Sequence, residues 1–111
     1  MNKEYNYSCI LVYGNFQNQR TGKEVLNDLE ELRSLALTLE LNVLDSTILK
    51  MKKISSSSFY GKGQLASLKN KAEVIKSRYI IFNDEITASQ FKNIQKLFGK
   101  NEIGYRTRCI I

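Results

Sequence analysis

Hydrophobic and polar positions along this chain follow two alternating periods, and each change of period marks a new element. Residues 9–13 form a short apolar run rich in β-forming side chains and closed by Gly14, a pattern typical of a buried strand. Over residues 22–40 the apolar positions instead recur three and four apart, as on one face of an amphipathic helix. Thr21 and Glu24 have the spacing of a capping box, which predicts that this helix begins there.

The same alternation continues to the end of the chain. Further β-rich runs cover residues 42–49, 79–82 and, more weakly, 102–105, and further amphipathic stretches cover about 64–77 and 88–98. Thr87, with Gln90 three positions later, is predicted to cap the last helix, and Gly99 to end it. The order β-α-β-α-β-α-β predicts a single-domain α/β fold: a mainly parallel four-stranded sheet with helices on both faces.

Charge is distributed unevenly along this predicted fold. Residues 50–78 hold eight basic side chains against Glu73 alone, a net +7 in a chain whose total is +6. Such a segment attracts polyanions by Coulomb attraction and counterion release, although lysines also serve simply to solvate a helix face. Within it lies a run of four serines, residues 55–58, which predicts a flexible polar loop.

Ligands in parallel α/β sheets gather at the carboxyl ends of strands, which here are followed by residues 14–20, 50–63 and 83–85. Gly61-Lys62-Gly63 places a cation and a flexible backbone at a helix entrance, an arrangement that suits an anion. A phosphate loop of the Walker type is excluded, because seven residues separate Gly14 from Gly22-Lys23 and Glu24 stands where a hydroxyl is needed.

Catalytic and metal sites have little support in the sequence. The chain has no histidine, and Asp84 and Glu85 are adjacent carboxylates that seldom aim at one point, so we predict no catalytic residues and no metal. Cys9 and Cys109 have no metal-ligand spacing and are expected to be reduced. The N-terminal apolar run is too short for a signal peptide or a membrane span, which predicts a cytoplasmic protein.

Two motifs together resemble a known family. The first is residues 59–64, Phe-Tyr-Gly-Lys-Gly-Gln, and the second is residues 80–90, which contain Asn83-Asp84-Glu85 and end in Gln90; Asn93-Ile94 and Arg106-Thr107 follow. This order resembles the N-terminal domain of HflX-family GTPases, over about residues 59–107. The chain departs from the family pattern at Gln64, Ile86 and Tyr105, where the family usually has lysine, leucine and aspartate.

The resemblance implies a GTPase that associates with the large ribosomal subunit and splits or rescues ribosomes. Its N-terminal region would contact ribosomal RNA and its own G domain, while GTP and magnesium would bind in that G domain. A helical linker and the G domain would follow residue 111, so we expect the present domain, residues 1–111, to need no cofactor and to hydrolyse no GTP by itself.

The predicted RNA-binding side chains are those of the basic segment and the glycine-rich motif: Lys50, Lys52, Lys53, Tyr60, Gly61, Lys62, Gly63, Lys69 and Lys76. Lys69 and Lys76 belong to this set only if their helix face turns the same way, and Tyr60 either stacks on a base or closes the core. Loop ordering is predicted for Asn83, Asp84, Glu85 and Arg106. Two alternatives stay open: nucleotide binding at the Gly61-Lys62-Gly63 turn, and a module that packs on the G domain.

Overall fold

A computed structural model of the protein describes residues 8–16 and 21–98, and the backbone of residues 104–107. The predictions for Gly99, Cys109 and the Arg106 side chain lie outside the described residues. The strands are β1 (Ser8–Phe16), β2 (Asn42–Met51), β3 (Tyr79–Phe82) and β4 (Gly104–Thr107), and the helices are α1 (Gly22–Thr38), α2 (Lys62–Ile75) and α3 (Ala88–Phe98).

The strands form one sheet in the order β2-β1-β3-β4, with parallel pairing between all neighbours. The predicted single α/β domain with a parallel sheet is therefore confirmed. Side chains are described for β1, β2 and β3 only, because β4 is described by its backbone alone. The chain steps from β1 to β2 in one direction and from β2 past β1 to β3 in the other, so the order reverses between β1 and β3.

Helices cover both faces of the sheet, as that reversal requires of right-handed crossovers. Under α1 lies a cluster of buried apolar side chains: Cys9, Leu11, Leu32, Ala36, Leu41 and Ile81. Under α2 and α3 lies a larger one that includes Ile10, Val12, Leu65, Leu68, Ile80, Phe82, Ile94 and Phe98. Alternate residues of β1 and β3 thus enter opposite clusters, which explains why both strands are apolar without interruption.

A bulge in β2 decides which of its side chains face α2. Cys9 pairs with Val43 but Ile10 pairs with Asp45, so Leu44 is an extra residue in the strand. After it, Asp45 and successive alternate residues point toward α2. Asp45 Oδ2 forms an ion pair with Lys71 Nζ at 2.6 Å. The same Lys71 Nζ donates a hydrogen bond to Thr47 Oγ1 at 2.9 Å. The bond to Lys71 lowers the pKa of Asp45 and ties α2 to the strand at the edge of the sheet.

The predicted helix starts agree with the structure at α1 and differ at α2. Thr21 Oγ1 accepts from the Glu24 amide at 3.2 Å and Glu24 Oε1 accepts from the Thr21 amide at 2.9 Å, which confirms the capping box. Helix α2 begins at Lys62 rather than Gln64. The cause is Gln64 itself, whose Oε1 accepts from the Gly61 amide at 3.3 Å and so draws Lys62 and Gly63 into the first turn.

Candidate nucleic-acid interface

One carboxylate joins the ends of three segments where the strand order reverses. Asp84 follows β3, and its Oδ2 accepts a hydrogen bond of 2.8 Å from the Gly14 amide at the end of β1. The same oxygen accepts a 2.6 Å bond from the Tyr60 hydroxyl, just before α2. In parallel α/β sheets the reversal of strand order opens the crevice in which ligands usually bind. Here the side chains of Asp84 and Tyr60 occupy that position.

Tyr60 is part of the core rather than of a binding surface. Its side chain is 0 % exposed and its ring stacks on Phe82, with centroids 5.4 Å apart. Burial, together with the charge and hydrogen bond of Asp84, raises the pKa of Tyr60 well above its ordinary value. A ring enclosed on all sides has no face for a nucleobase, so the base-stacking alternative is wrong and Tyr60 closes the core.

The Gly61-Lys62-Gly63 motif is a helix start rather than a loop around a phosphate. Gly61 is the N-cap of α2, with an extended backbone (φ −64°), and Gly63 already lies inside the helix. Lys62 is exposed in the first turn, where the helix dipole adds partial positive charge. Gly63 therefore contributes no turn at the helix entrance, because the turn ends at Gly61, one residue before the helix begins.

The four serines form an ordered turn, contrary to the flexible loop predicted from their composition. Ser55 and Phe59 exchange two backbone hydrogen bonds of 2.9 Å, and Ser58 Oγ donates to the Tyr60 carbonyl at 2.8 Å. Phe59 has a φ of 64°, and the Tyr60 amide donates to the Ser58 carbonyl at 2.6 Å, which together form a γ-turn of the rare, strained kind. We call residues 55–58 the serine loop.

Helix α3 fastens the serine loop through two amide side chains. Gln90 Nε2 donates to the Ser55 carbonyl at 3.1 Å, and Asn93 Nδ2 donates to the Ser57 carbonyl at 2.8 Å. Composition cannot reveal these bonds, because the two partners are more than thirty residues apart in sequence. The sequence predicts the capping role of Gln90 at the start of α3, but not its bond to the serine loop.

The predicted lysines at the carboxyl end of β2 lie together on one edge. Lys50 is the penultimate residue of β2, and Lys52 and Lys53 follow the end of the strand at Met51. Gln64 Nε2 donates to the Lys50 carbonyl at 2.9 Å, which brings the first turn of α2 against the strand end. All four side chains, Lys62 included, are exposed. None of them forms an ion pair with another residue of the described part of the chain. We call Lys50, Lys52, Lys53 and Lys62 the basic edge.

The structure separates Lys69 and Lys76 from the basic edge. Lys71 binds β2, and Lys69 precedes it by two positions, about 200° around the helix, so it lies on the flank of α2 away from that strand. Lys76 caps the C-terminus of α2, and its carbonyl accepts from Ser8 Oγ at the start of β1, at the amino ends of the strands and so opposite the carboxyl end of β2. Lys69 and Lys76 therefore do not turn toward the same surface as the other predicted lysines, which is the condition for including them in the RNA-binding set.

Residues 83–85 have different surroundings. The Asn83 amide donates to the Val12 carbonyl at 2.9 Å and continues the pairing of β3 with β1. Glu85 is exposed, and Asp84 makes the contacts described above rather than one to Lys62. Within residues 8–16 and 21–98 there is no group of three or more potential metal ligands. No helix of the described chain is long and apolar enough to cross a membrane.

Gly14 has the tightest surroundings among the glycines at positions 14, 22, 61 and 63, whose neighbours the structure describes. A Cβ on Gly14 would lie 2.9 Å from Asp84 Oδ2, 2.9 Å from Met51 Cε and 3.2 Å from Tyr60 Cε1. Around Gly63 the same construction meets no atom within 4 Å. The glycine that the close approach requires is therefore Gly14, and the only signal for it in the sequence is its place at the end of an apolar run.

Comparison with known proteins assigns the chain to a family. Residues 26–111 match the family described as GTP-binding GTPase N-terminal. The chain belongs to this family, as an HflX N-terminal domain. It is 36% identical over 95 residues to GTPase HflX of Alkalihalophilus pseudofirmus, a match that covers 86% of this chain and 22% of that protein.

Two further relatives carry the same name. GTPase HflX of Caldanaerobacter subterraneus subsp. tengcongensis is 37% identical over 83 residues, covering 75% of this chain and 19% of the relative. GTPase HflX of Chlamydia pneumoniae is 31% identical over 98 residues, covering 87% and 21%. The HflX N-terminal domain described here thus spans about a fifth of the length of these curated relatives.

Proposed function

We propose that this domain docks an HflX-type GTPase onto RNA of the large ribosomal subunit through the basic edge, in ribosome splitting or rescue. In this proposal the domain hydrolyses no GTP alone; the nucleotide and its magnesium bind the G domain of a longer parent, and the protein acts in the cytoplasm. The observation that carries the proposal is the exposure of Lys50, Lys52, Lys53 and Lys62 on one edge, without acidic partners in the described chain.

Electrostatics support an RNA phosphate backbone as the target. An ammonium group without a carboxylate partner can neutralise an RNA phosphate directly. The cations condensed around that phosphate are then released, and their release drives binding. The start of α2 lies within this edge and adds backbone amides that favour anions. Lys71, by contrast, is engaged with Asp45 and is a poorer phosphate contact.

Nucleotide binding by the Gly61-Lys62-Gly63 segment has less support. The crevice at the reversal of strand order is filled by the ring of Tyr60 and the carboxylate of Asp84. A phosphate there would also meet the Asp84 oxygen that the Gly14 amide already binds. Within the described residues, the segment offers one exposed lysine at a helix start, which fits a backbone phosphate of RNA better than an enclosed triphosphate.

A second contact, with the G domain of the parent, is favoured by α1. Leu26 and Leu37 are 64% and 63% exposed and lie eleven positions apart, which is close to three helical turns, so they share one side of the helix. Apolar side chains exposed in this way often mark a contact surface. This contact is compatible with RNA docking, because α1 covers the sheet face opposite α2.

Co-sedimentation with purified large ribosomal subunits tests the docking. The variant is Lys50→Ala with Lys52→Ala and Lys53→Ala, and the matched control is Lys76→Ala with Lys92→Ala and Lys96→Ala, three exposed lysines elsewhere. We expect salt-sensitive binding by the wild type. The steepness with which the logarithm of the association constant decreases with the logarithm of the salt concentration should drop by about 2–3 in the basic-edge variant and stay unchanged in the control.

Two outcomes would contradict the proposal. Equal losses in the two triple variants would show that only net charge matters. Binding to the subunits at neither low nor physiological salt would exclude docking by this domain and leave the contact through Leu26 and Leu37 as its function.

A further inference from the structure

Two lysines of the basic edge, Lys52 and Lys53, lie between two fixed points of the chain. Met51 is paired with Phe16 in the sheet, and Ser55 is bonded to Phe59 and to Gln90. Only three residues, Lys52, Lys53 and Ile54, connect them. A segment this short between two anchors has few conformations, so the positions of its two lysines depend on how firmly Ser55 is held.

Gln90 and Asn93 supply that anchor from α3. Gln90 is 9% exposed and uses its whole amide: Oε1 accepts from the Thr87 amide at 3.0 Å, and Nε2 donates to the Ser55 carbonyl. Asn93 adds the bond to the Ser57 carbonyl one turn later. The start of α3 and the serine loop are therefore fixed by the same side chain.

Fixed lysines and mobile lysines differ in what they bind. A mobile pair adapts to any polyanion but loses conformational entropy on binding, whereas a fixed pair loses little and fits only phosphates at suitable positions. The double helix of RNA presents phosphates in a rigid array. A flexible polyanion such as polyphosphate adjusts to either arrangement.

We propose that Asn93 and Gln90 are positioning residues that make the basic edge select double-helical RNA over flexible polyanions. This inference rests on the proposed function and adds its substrate class. Neither side chain contributes charge, and both act through the serine loop on Lys52 and Lys53.

The test compares Asn93→Ala with the control Gln95→Ala on the 111-residue chain. Gln95 lies exposed on the same helix. Binding is measured to a short double-helical RNA hairpin and to inorganic polyphosphate. We expect Asn93→Ala to weaken the affinity for the hairpin about fivefold and to change the affinity for polyphosphate by less than about twofold. The dependence of hairpin affinity on salt concentration should stay the same, because no lysine is lost. Gln95→Ala should change neither affinity.

A second measurement reports on the loop without RNA. Trypsin cleaves after Lys52 and Lys53 only when the segment leaves its fixed conformation, so Asn93→Ala should be cleaved there several-fold faster than the wild type and Gln95→Ala. Gln90→Met, which removes the side-chain bonds to Thr87, Ser55 and Ser56, should be cleaved faster still.

The two measurements distinguish the possible failures. If cleavage accelerates but the wild type shows no salt-dependent hairpin binding, the proposed function fails and the selectivity fails with it. If the hairpin binds but cleavage is unchanged, or both polyanions weaken equally in Asn93→Ala, the positioning role fails and the proposed function stands.

Discussion

Replacing Gly14 by alanine tests whether the close approach of three segments holds this domain together. The new methyl group would lie 2.9 Å from Met51 Cε and 2.9 Å from Asp84 Oδ2. Met51 can move, since its Cε is the end of a flexible side chain. Asp84 cannot move freely, because the same oxygen accepts from the Gly14 amide and the Tyr60 hydroxyl.

The expected destabilisation follows from those contacts. A hydrogen bond to a charged acceptor contributes about 1.5–3 kcal/mol, and an extra methyl group in a packed site costs about 1–3 kcal/mol. Because small shifts preserve part of both bonds, we expect Gly14→Ala to lower the free energy of unfolding by about 2–4 kcal/mol. For a domain of this size, that lowers the melting temperature by roughly 10–25 °C.

Urea unfolding followed by far-ultraviolet circular dichroism measures this loss, with Gly63→Ala as the matched control. The added methyl at Gly63 meets no atom within 4 Å and lies in a helix, so this variant should be up to about 1 kcal/mol more stable than the wild type. An Asp84→Asn background should reduce the effect of Gly14→Ala, since both changes weaken one set of bonds. A loss below about 1 kcal/mol in Gly14→Ala, or a similar loss in both glycine variants, would refute the reasoning.

Three further predictions concern titratable groups. The pKa of Tyr60 is raised, so the stability that Tyr60 contributes to the fold is present below the ordinary tyrosine pKa and is lost as the pH rises above it. The urea midpoint of the wild type should therefore fall as the pH is raised past the ordinary tyrosine pKa, and that of Tyr60→Phe should not. At neutral pH, Tyr60→Phe should be less stable than the wild type by about 1–3 kcal/mol. Burial raises the pKa of Cys9 to about 11, so in a Cys109→Ser chain a disulfide reagent should react with Cys9 only as fast as the domain unfolds. Asp45 has a lowered pKa, so its contribution is present above the ordinary aspartate value and lost as the pH falls; because Asp45 is 46% exposed, Asp45→Asn should cost less than about 1 kcal/mol at neutral pH by urea unfolding.

The fold could be predicted because its signals are local. A capping box at Thr21 and uninterrupted apolar strands are properties of neighbouring residues, and they predict the element order and the parallel sheet. The bulge at Leu44 could not be predicted, since it depends on how β2 pairs with β1, a strand that is distant in the sequence. The serine loop was predicted wrongly for the same reason: its order comes from Gln90 and Asn93.

The candidate site was predicted in part. The segment from Lys50 to Lys53 and the exposed Lys62 could be identified because charge and exposure go together at the end of a strand. Lys69 could not be excluded from the sequence, because the flank of α2 that lies against β2 is known only once its apolar face is packed on the sheet and Lys71 is bonded to Asp45. Tyr60 has both an apolar ring and a hydroxyl, and only the position of Asp84 decides between core and surface.

The buried residues of the motifs that resemble the family pattern stabilise the structure around the basic edge rather than form its binding surface. Tyr60 and Gln90 are buried, and Asp84 accepts bonds from the backbone and from Tyr60. Replacing Tyr60 or Asp84 would therefore destabilise the domain and weaken every activity at once. The exposed lysines are the side chains whose replacement can separate binding from folding, because none is bonded through its side chain to the described part of the chain. A test of docking must therefore vary these lysines, with Tyr60 and Asp84 as controls for stability, whereas Gln90 and Asn93 are tested through the serine loop that they hold.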